Sequence, residues 1–272
     1  MASSPLDEAA RRATAAFNSA ADTYDHAALG FWSRVGRGTV DRVALRPGEH
    51  VLDVPAGSGA SALPAAEAVG PAGRVVAADI APALLDLARG KAEAQGIGNL
   101  ELRVADMRAL DYADESFDAV TCVFGVFFVP DREELVRSFW RLVKPGGRLA
   151  ITTWGPDVLE PGSSAFWSSV EAVRPDLVRG FNPWDDLVEP AQVRSLFEGA
   201  GISGSSADLE PADQPLEGPE DWWAIVLGTG FRGTVDLLTA DEREQVRRAT
   251  LESMRDVRSV RASAIYGLAA KP

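Results

Sequence analysis

Short apolar runs alternate with amphipathic stretches through the middle of the chain. Val51 to Val54, Val75 to Ile80, Leu100 to Val104 and Ala119 to Val123 each have the length and apolar character of a buried strand, and Pro145-Gly146-Gly147 turns the chain into a fifth, Arg148 to Thr153. Alternation of strands and helices from 51 to 153 predicts a parallel sheet built from right-handed crossovers. Ahead of it, residues 6 to 46 read as helices, with Leu29, Phe31, Trp32, Val35, Val40 and Val43 set among polar positions until Pro47-Gly48 ends them. After Trp154 the alternation stops. Residues 155 to 189 are rich in Pro, Gly, Ser and aromatics, and a helix follows at about Ala191 to Glu198, then a strand within 202 to 210. An aromatic helix carrying Asp221-Trp222-Trp223-Ala224-Ile225-Val226, a charged helix from Asp241 to about Arg255 and a final strand, Ala262 to Ala269, complete the pattern, with no internal repeat.

The first strand runs into a turn of small residues, Pro55-Ala56-Gly57-Ser58-Gly59, with Asp53 where the strand gives out. Gly57 and Gly59 let a backbone approach a ligand closely, and the helix starting near Ala60 aims free N–H groups at it. Two cofactors suit such a turn. Gly57-Ser58-Gly59-Ala60-Ser61-Ala62 fits the dinucleotide fingerprint, with Asp79 about twenty residues on, which favours an NAD-type oxidoreductase. Asp53 favours the other: a carboxylate before the turn repels a pyrophosphate but suits the ammonium of an amino-acid moiety, as in S-adenosylmethionine. Asp79 ends the second strand, where it can hold two ribose hydroxyls while Ile80 packs on a base. After the third strand, Asp106 can accept from an exocyclic amine and Met107 can cover a ring.

With these pieces the chain resembles the class I S-adenosylmethionine-dependent methyltransferases, and within them the small-molecule group similar to the enzymes of ubiquinone and menaquinone biosynthesis. The resemblance rests on Val51 to Gly59, Val75 to Ile80, Val104 to Met107, Asp114 to Val120, Phe124 to Pro130 and Leu142 to Leu149. It implies a Rossmann-like doubly wound α/β fold with seven strands in the order 3-2-1-4-5-7-6, the last antiparallel. It also implies a helical cap made of 1–46 with insertions at 155–189 and 213–258, around a cofactor-binding core of 47–154, a core helix and strand at 190–212 and a final strand at 259–272. The cofactor would be S-adenosylmethionine, leaving as S-adenosylhomocysteine, with the ligand at the carboxyl ends of the strands between sheet and cap. Ala56, Gly57 and Gly59 would give it backbone access, Phe124 and Gly125 would line its methyl end, and Tyr24 resembles a cap tyrosine that touches its methionine end. One departure stands out: Pro55 replaces the usual small residue and offers no N–H.

Candidate chemistry elsewhere is sparse. The chain of 272 residues has two histidines. His26, in the N-terminal cap, is a candidate proton acceptor for a phenol or hydroxyl, and His50, ahead of the first strand, reads as structural. Trp32, Trp154, Trp167, Trp184, Trp222 and Trp223, with Phe31, Phe128, Phe166, Phe181 and Phe231, suit a flat aromatic or prenyl-like acceptor, whereas Trp140 reads as core. Aromatic faces also steady cations, so transfer to an alkene carbon is a further possibility, with Glu171 or Asp185 taking the proton and Arg174, Arg179 or Arg194 binding a diphosphate.

Composition narrows the field. With 40 acidic against 27 basic residues the net charge is -13, which argues against a nucleic-acid or anionic-membrane partner. The single Cys122 lies in an apolar strand and excludes an internal disulfide, the N-terminal stretch has no apolar signal, and no His/Cys/Asp cluster has metal-ligand spacing. The expectation is a cytoplasmic enzyme transferring a methyl group to a small molecule of natural-product type, O slightly preferred over C or N. The alternatives are a protein of the same fold that binds the cofactor but acts as a cyclase or binder, and an NAD-type oxidoreductase.

Overall fold

The computed structural model describes residues 5–178 and 182–272. In chain order the elements are α1 (Pro5–Ala20), α2 (Phe31–Val43), β1 (His50–Asp53), α3 (Ala62–Val69), β2 (Arg74–Asp79), α4 (Pro82–Ala94), β3 (Leu100–Val104), β4 (Phe117–Val123), α5 (Arg132–Leu142) and β5 (Val143–Trp154). There follow α6 (Gly162–Val173), α7 (Pro190–Gly199), β6 (Ser206–Glu210), β7 (Asp213–Pro215), α8 (Pro219–Leu227), α9 (Arg232–Val235), α10 (Ala240–Met254), β8 (Ser259–Arg261) and β9 (Ala264–Ala270). They form two compact units, one of Trp32–Pro156, Pro183–Pro211 and Ser263–Pro272, the other of Met1–Phe31, Asp157–Asn182 and Ala212–Ala262.

The first unit is built on a seven-stranded sheet in the order β3-β2-β1-β4-β5-β9-β6. Six strands run in one direction and β9 alone runs against them, between β5 and β6, so counted within this sheet the order is 3-2-1-4-5-7-6 as the resemblance implied. The central strands are apolar on both faces because helices cover both: Val51, Leu52, Val75, Ala77, Ala119, Val120, Leu149 and Ile151 are buried. Local signals fix several ends. Pro82 opens α4, and the Asp131 carboxylate caps α5 by accepting from the Glu134 N–H at 3.0 Å. The second unit is mainly helical, with α10 capped by Thr239 and Glu242 in reciprocal hydrogen bonds and a two-stranded sheet of β7 and β8.

Several expected boundaries move. Helix α2 ends at Val43 because Ala44 takes a left-handed φ of 52°. No helix lies between β3 and β4, where 105–116 run as turns and coil, and β5 already begins at Val143, ahead of the Pro145-Gly146-Gly147 segment. The stretch from 155 to 189 holds a full helix, α6, and the expected terminal strand is split into β8 and β9.

Candidate functional site

The turn after β1 is held from three sides. Gly57 and Gly59 have φ of 52° and 88°, a region open to glycine at little cost. From below, the Ala56 N–H donates to Ala78 O and the Gly59 N–H to Ala56 O, both at 2.9 Å. From behind, Gly36 of α2 lies so near that a Cβ there would come within 2.4 Å of Ala60 O. From the side, the Pro55 ring lies against Gly125, just past β4.

Asp79 ties β2 to this turn. Its Oδ2 accepts from the Gly57 N–H and its Oδ1 from the Ala81 N–H, each at 2.8 Å. It is 5% exposed, and burial pushes its pKa above the ordinary carboxylate value despite the backbone donors. The Ile80 N–H is a third backbone donor to it, which leaves the carboxylate room for one further hydroxyl.

Asp53 is placed differently from expectation. It is fully buried, and its oxygens accept from the Thr121 hydroxyl at 2.6 Å and from the Ser61 hydroxyl at 2.8 and 2.9 Å. No oxygen is exposed to meet an incoming ammonium directly; the carboxyl pins the end of β1 to β4 and to the start of α3. Burial, opposed by these two hydroxyls and reinforced by the charge of Asp79, pushes its pKa up to about 6. Thr121 stands in register with Asp53 across β1 and β4, a neighbour the sequence alone did not reveal.

Asp106 is also engaged. The Arg108 side chain grips both its oxygens and the Arg108 N–H donates to Oδ1 at 2.9 Å, contacts that hold its pKa below the ordinary value. Nearby lies an apolar surface: Val104 is 63% exposed, and Ile80 and Met107 are half-buried.

The aromatic residues fall into separate groups. In the sheet unit Phe124 stacks on Trp154 at 4.0 Å between centroids and 23° between planes, and Trp32 meets both rings at 5.4 and 5.8 Å. Phe127, which the sequence reading passed over, touches Phe128 and Trp184 at 4.9 and 5.9 Å, and Arg132 fastens the turn of Trp184 by donating to Pro183 O at 2.6 Å. In the helical unit Phe31, Tyr24, Trp222 and Trp223 are buried; Trp222 lies flat on Gly162, and Phe231 joins it to Phe166 and Trp167. Phe181 and Arg179 lie outside the described residues.

The candidate proton acceptors lie at the surface. His26 is exposed, and its Nδ1 accepts from the Ala28 N–H at 3.2 Å, capping the 3-10 turn Ala27–Leu29. Glu171 and Asp185 are exposed as well. The arginines offered for a diphosphate are occupied: Arg174 pairs with Asp176 at 2.8 Å and Glu242 at 3.5 Å, and Arg194 donates to Ala207 O. Cys122 is buried, and burial pushes its thiol up to about 12, which makes it inert. Among the described residues no acidic, His or Cys cluster could hold a metal, and no helix is long and apolar enough to cross a membrane.

An open sheet with one antiparallel strand inserted next to the edge, and a glycine turn bracketed by acids at the carboxyl ends of β1, β2 and β3, define a methyltransferase of Rossmann-like type. Comparison makes this specific. The ubiE/COQ5 methyltransferase family matches residues 7–179, and the chain belongs to that family. Aklanonic acid methyltransferase DauC of Streptomyces is 34% identical over 208 residues, covering 71% of this chain and 92% of that protein. Ubiquinone/menaquinone biosynthesis C-methyltransferase UbiE of Klebsiella pneumoniae is 39% identical over 136 residues, where the chain spans about half of its length, 53%. Two solved structures share the fold. YcgJ of Bacillus subtilis has a TM-score of 0.56 at 17% identity over 88% of this chain and 98% of that one, and the [4+2]-cyclase SpnF a TM-score of 0.54 at 19% identity over 88% and 81%. Membership implies S-adenosylmethionine as the cofactor.

Proposed function

We propose that the chain methylates an oxygen of a small aromatic or hydrophobic acceptor of natural-product type, with the cofactor lying along the Ala56 to Gly59 turn. The observation that carries this reading is the pairing of that turn, closed by Asp79, with the aromatic group at Phe124 immediately past β4. The residues fit the cofactor in an independent respect: Val104, exposed at 63% beside Ile80 and Met107, is an apolar platform that a purine would cover, next to the acid of Asp106. When bound, the cofactor supplies a methyl carbon on a positive sulfur, which an acceptor lone pair attacks in line as the C–S bond breaks to leave a neutral thioether.

The chain's own part is positional. Asp79 accepts from a ribose hydroxyl while keeping Gly57 in place, and Asp106 accepts from the adenine amine while keeping Arg108. Asp53 acts from inside, fixing the end of β1 on which the turn depends. Holding the reacting atoms about 3 Å apart and shielded from water supplies most of the acceleration in such a transfer. With His26 tied up as a cap and Glu171 exposed on α6, the reading favours an acceptor oxygen that sheds its proton to solvent, such as an acidic phenol.

The names of the relatives support the class and leave the atom open, since one is called a C-methyltransferase, and the fold shared with a cyclase leaves the chemistry itself to be tested. Calorimetric titration with S-adenosylhomocysteine beside NAD, on wild type and on Asp79→Ala, tests the cofactor. Binding of the thioether alone, weakened roughly tenfold or more in the variant, is the expected result. Mass spectrometry of products from a phenol panel with methyl-labelled cofactor then reads which atom is methylated; label on carbon, or no label transferred, would remove the O-methylation reading.

A further inference from the structure

Pro55 reaches across from the cofactor turn to the strand end that carries the aromatic group. A Cβ placed on Gly125 would lie 2.1 Å from Pro55 Cδ, 2.6 Å from its Cγ and 3.0 Å from Cys122 Sγ, so the proline ring rests directly on the Gly125 backbone. One residue earlier, Phe124 has a φ of 53°, a region a bulky side chain enters only where its surroundings impose it. Those surroundings are visible. On one side the Phe124 N–H donates to Thr152 O at 2.8 Å; on the other its successor is pressed by Pro55. In this conformation the Phe124 ring stacks on Trp154 at 4.0 Å, and Trp32 stands against the pair at 68° to Phe124.

We propose that Pro55 is a positioning residue for the acceptor: by filling the space beside Gly125 it fixes Phe124 in its left-handed conformation, and the buried stack of Phe124 on Trp154 then holds the half-buried Trp32 ring as a wall that selects a flat ring over a puckered one of similar size. The inference rests on the aromatic-acceptor reading above and deepens it. It gives the proline a role that its missing N–H does not, since a turn without a donor at this position still needs something to hold its far side. A planar wall discriminates by shape because stacking requires two flat faces, whereas a puckered ring touches such a wall at a few hydrogens only.

The test uses Pro55→Ala and Gly125→Ala, which disturb the same contact from its two sides. Two probes share a skeleton and a hydroxyl, 1-naphthol and decahydro-1-naphthol, and each is titrated into the full-length protein saturated with S-adenosylhomocysteine. The near-ultraviolet circular dichroism of the tryptophans is recorded alongside. Wild type should prefer 1-naphthol, and in both variants the preference should fall roughly tenfold, with a changed aromatic spectrum and an intact far-ultraviolet spectrum. Affinity for S-adenosylhomocysteine, measured separately, should fall by a smaller factor.

An unchanged preference with an unchanged aromatic spectrum would overturn the proposal. So would an equal loss of both probes and of the thioether, because Pro55 would then serve the cofactor turn alone. Should Pro55→Ala fail to fold, Gly125→Ala decides by the same ratio. Wild type that binds neither probe, while the variants still lose their aromatic signal, would fault the aromatic-acceptor reading and uphold the positioning of the rings.

Discussion

Arg148 and Glu49 clasp each other in two parallel bonds, Nη1 to Oε1 at 2.7 Å and Nη2 to Oε2 at 2.8 Å, with 11% and 13% of their side chains exposed. The same guanidinium donates to Val43 O and Ala44 O at 3.0 Å, so one residue of β5 secures both the end of α2 and the entry to β1. Burial pushes the Glu49 carboxyl up, and the Arg148 bonds outweigh it and hold its pKa below the ordinary value. Arg148→Ala leaves a shielded carboxylate and two carbonyls without their donor. It should cost about 3 kcal/mol in chemical denaturation, in line with breaking one side of a buried pair. A loss under about 1 kcal/mol would mean that water replaces the guanidinium.

Asp53 gives the fold an unusual dependence on pH. Its pKa is near 3.8 in the unfolded chain and about 6 when folded, so between those values the folded state holds more of the proton than the unfolded state does. Stability from this group is therefore fully present below pH 3.8 and is lost as pH rises through 6. A difference of that size between the two states corresponds to roughly 3 kcal/mol. Acids held low by arginines, half-buried Asp106 among them, act in the opposite sense, so the readout is the difference between wild type and Asp53→Asn. That difference should swing in favour of the amide between pH 4 and pH 6.5. A difference independent of pH would mean that the carboxyl stays ionised in the folded protein.

Gly36 allows α2 to touch the cofactor turn. Because a methyl there would sit 2.4 Å from Ala60 O and 2.8 Å from Ser61 N, backbone atoms that cannot swing aside, Gly36→Ala must push helix and turn apart. The expected loss is about 1 to 3 kcal/mol, together with weaker binding of S-adenosylhomocysteine. Gly90, on α4 with nothing within 4 Å of an added Cβ, is the control: Gly90→Ala should be neutral or stabilising. Equal behaviour of the two variants in thermal denaturation would contradict the contact.

What could be read from the chain follows from how local the information was. The glycine turn and the acids at the strand ends were carried by contiguous motifs, the strand order came with the family resemblance that those motifs support, and the sheet reproduces them. The partners of those acids were legible only in part. Arg108, two residues from Asp106, lay close enough in sequence to be suspected. Thr121 meets Asp53 only because β4 lies beside β1 in a register that no periodicity specifies. For that reason Asp53 read as an open acceptor when the fold makes it a buried brace. The missing helix between β3 and β4 has a similar origin, since 105–116 contain the turn signals of Asp106, Asp111 and Asp114 but no apolar stripe to bury. Helix α6 was hidden by its Gly162-Ser163-Ser164 start, whose small residues read as loop; Gly162 is needed because the Trp222 ring lies 2.6 Å from where its Cβ would be.

His26 looked like the natural proton acceptor of a methyl transfer, and its geometry argues for another role. A ring nitrogen that accepts a hydrogen bond carries no proton, so with Nδ1 accepting from Ala28 the neutral ring bears its hydrogen on Nε2, which can donate but not accept. Using His26 as a base would mean giving up the cap that begins the Ala27–Leu29 turn. His26→Asn keeps a capping acceptor and removes the imidazole. With a phenolic acceptor its kcat should stay within about threefold of wild type, against the 10²-fold or greater loss typical when a working general base is removed. His26→Ala, lacking any cap, should lose about 1 kcal/mol of stability while kcat again holds. The pH profile of kcat is the sharper measurement. If the rate follows ionisation of the acceptor, replacing one phenol by a more acidic one should move the basic limb by the difference in their acidities, identically in wild type and His26→Asn. A limb that stays fixed across phenols and vanishes in His26→Asn would make the histidine the base after all.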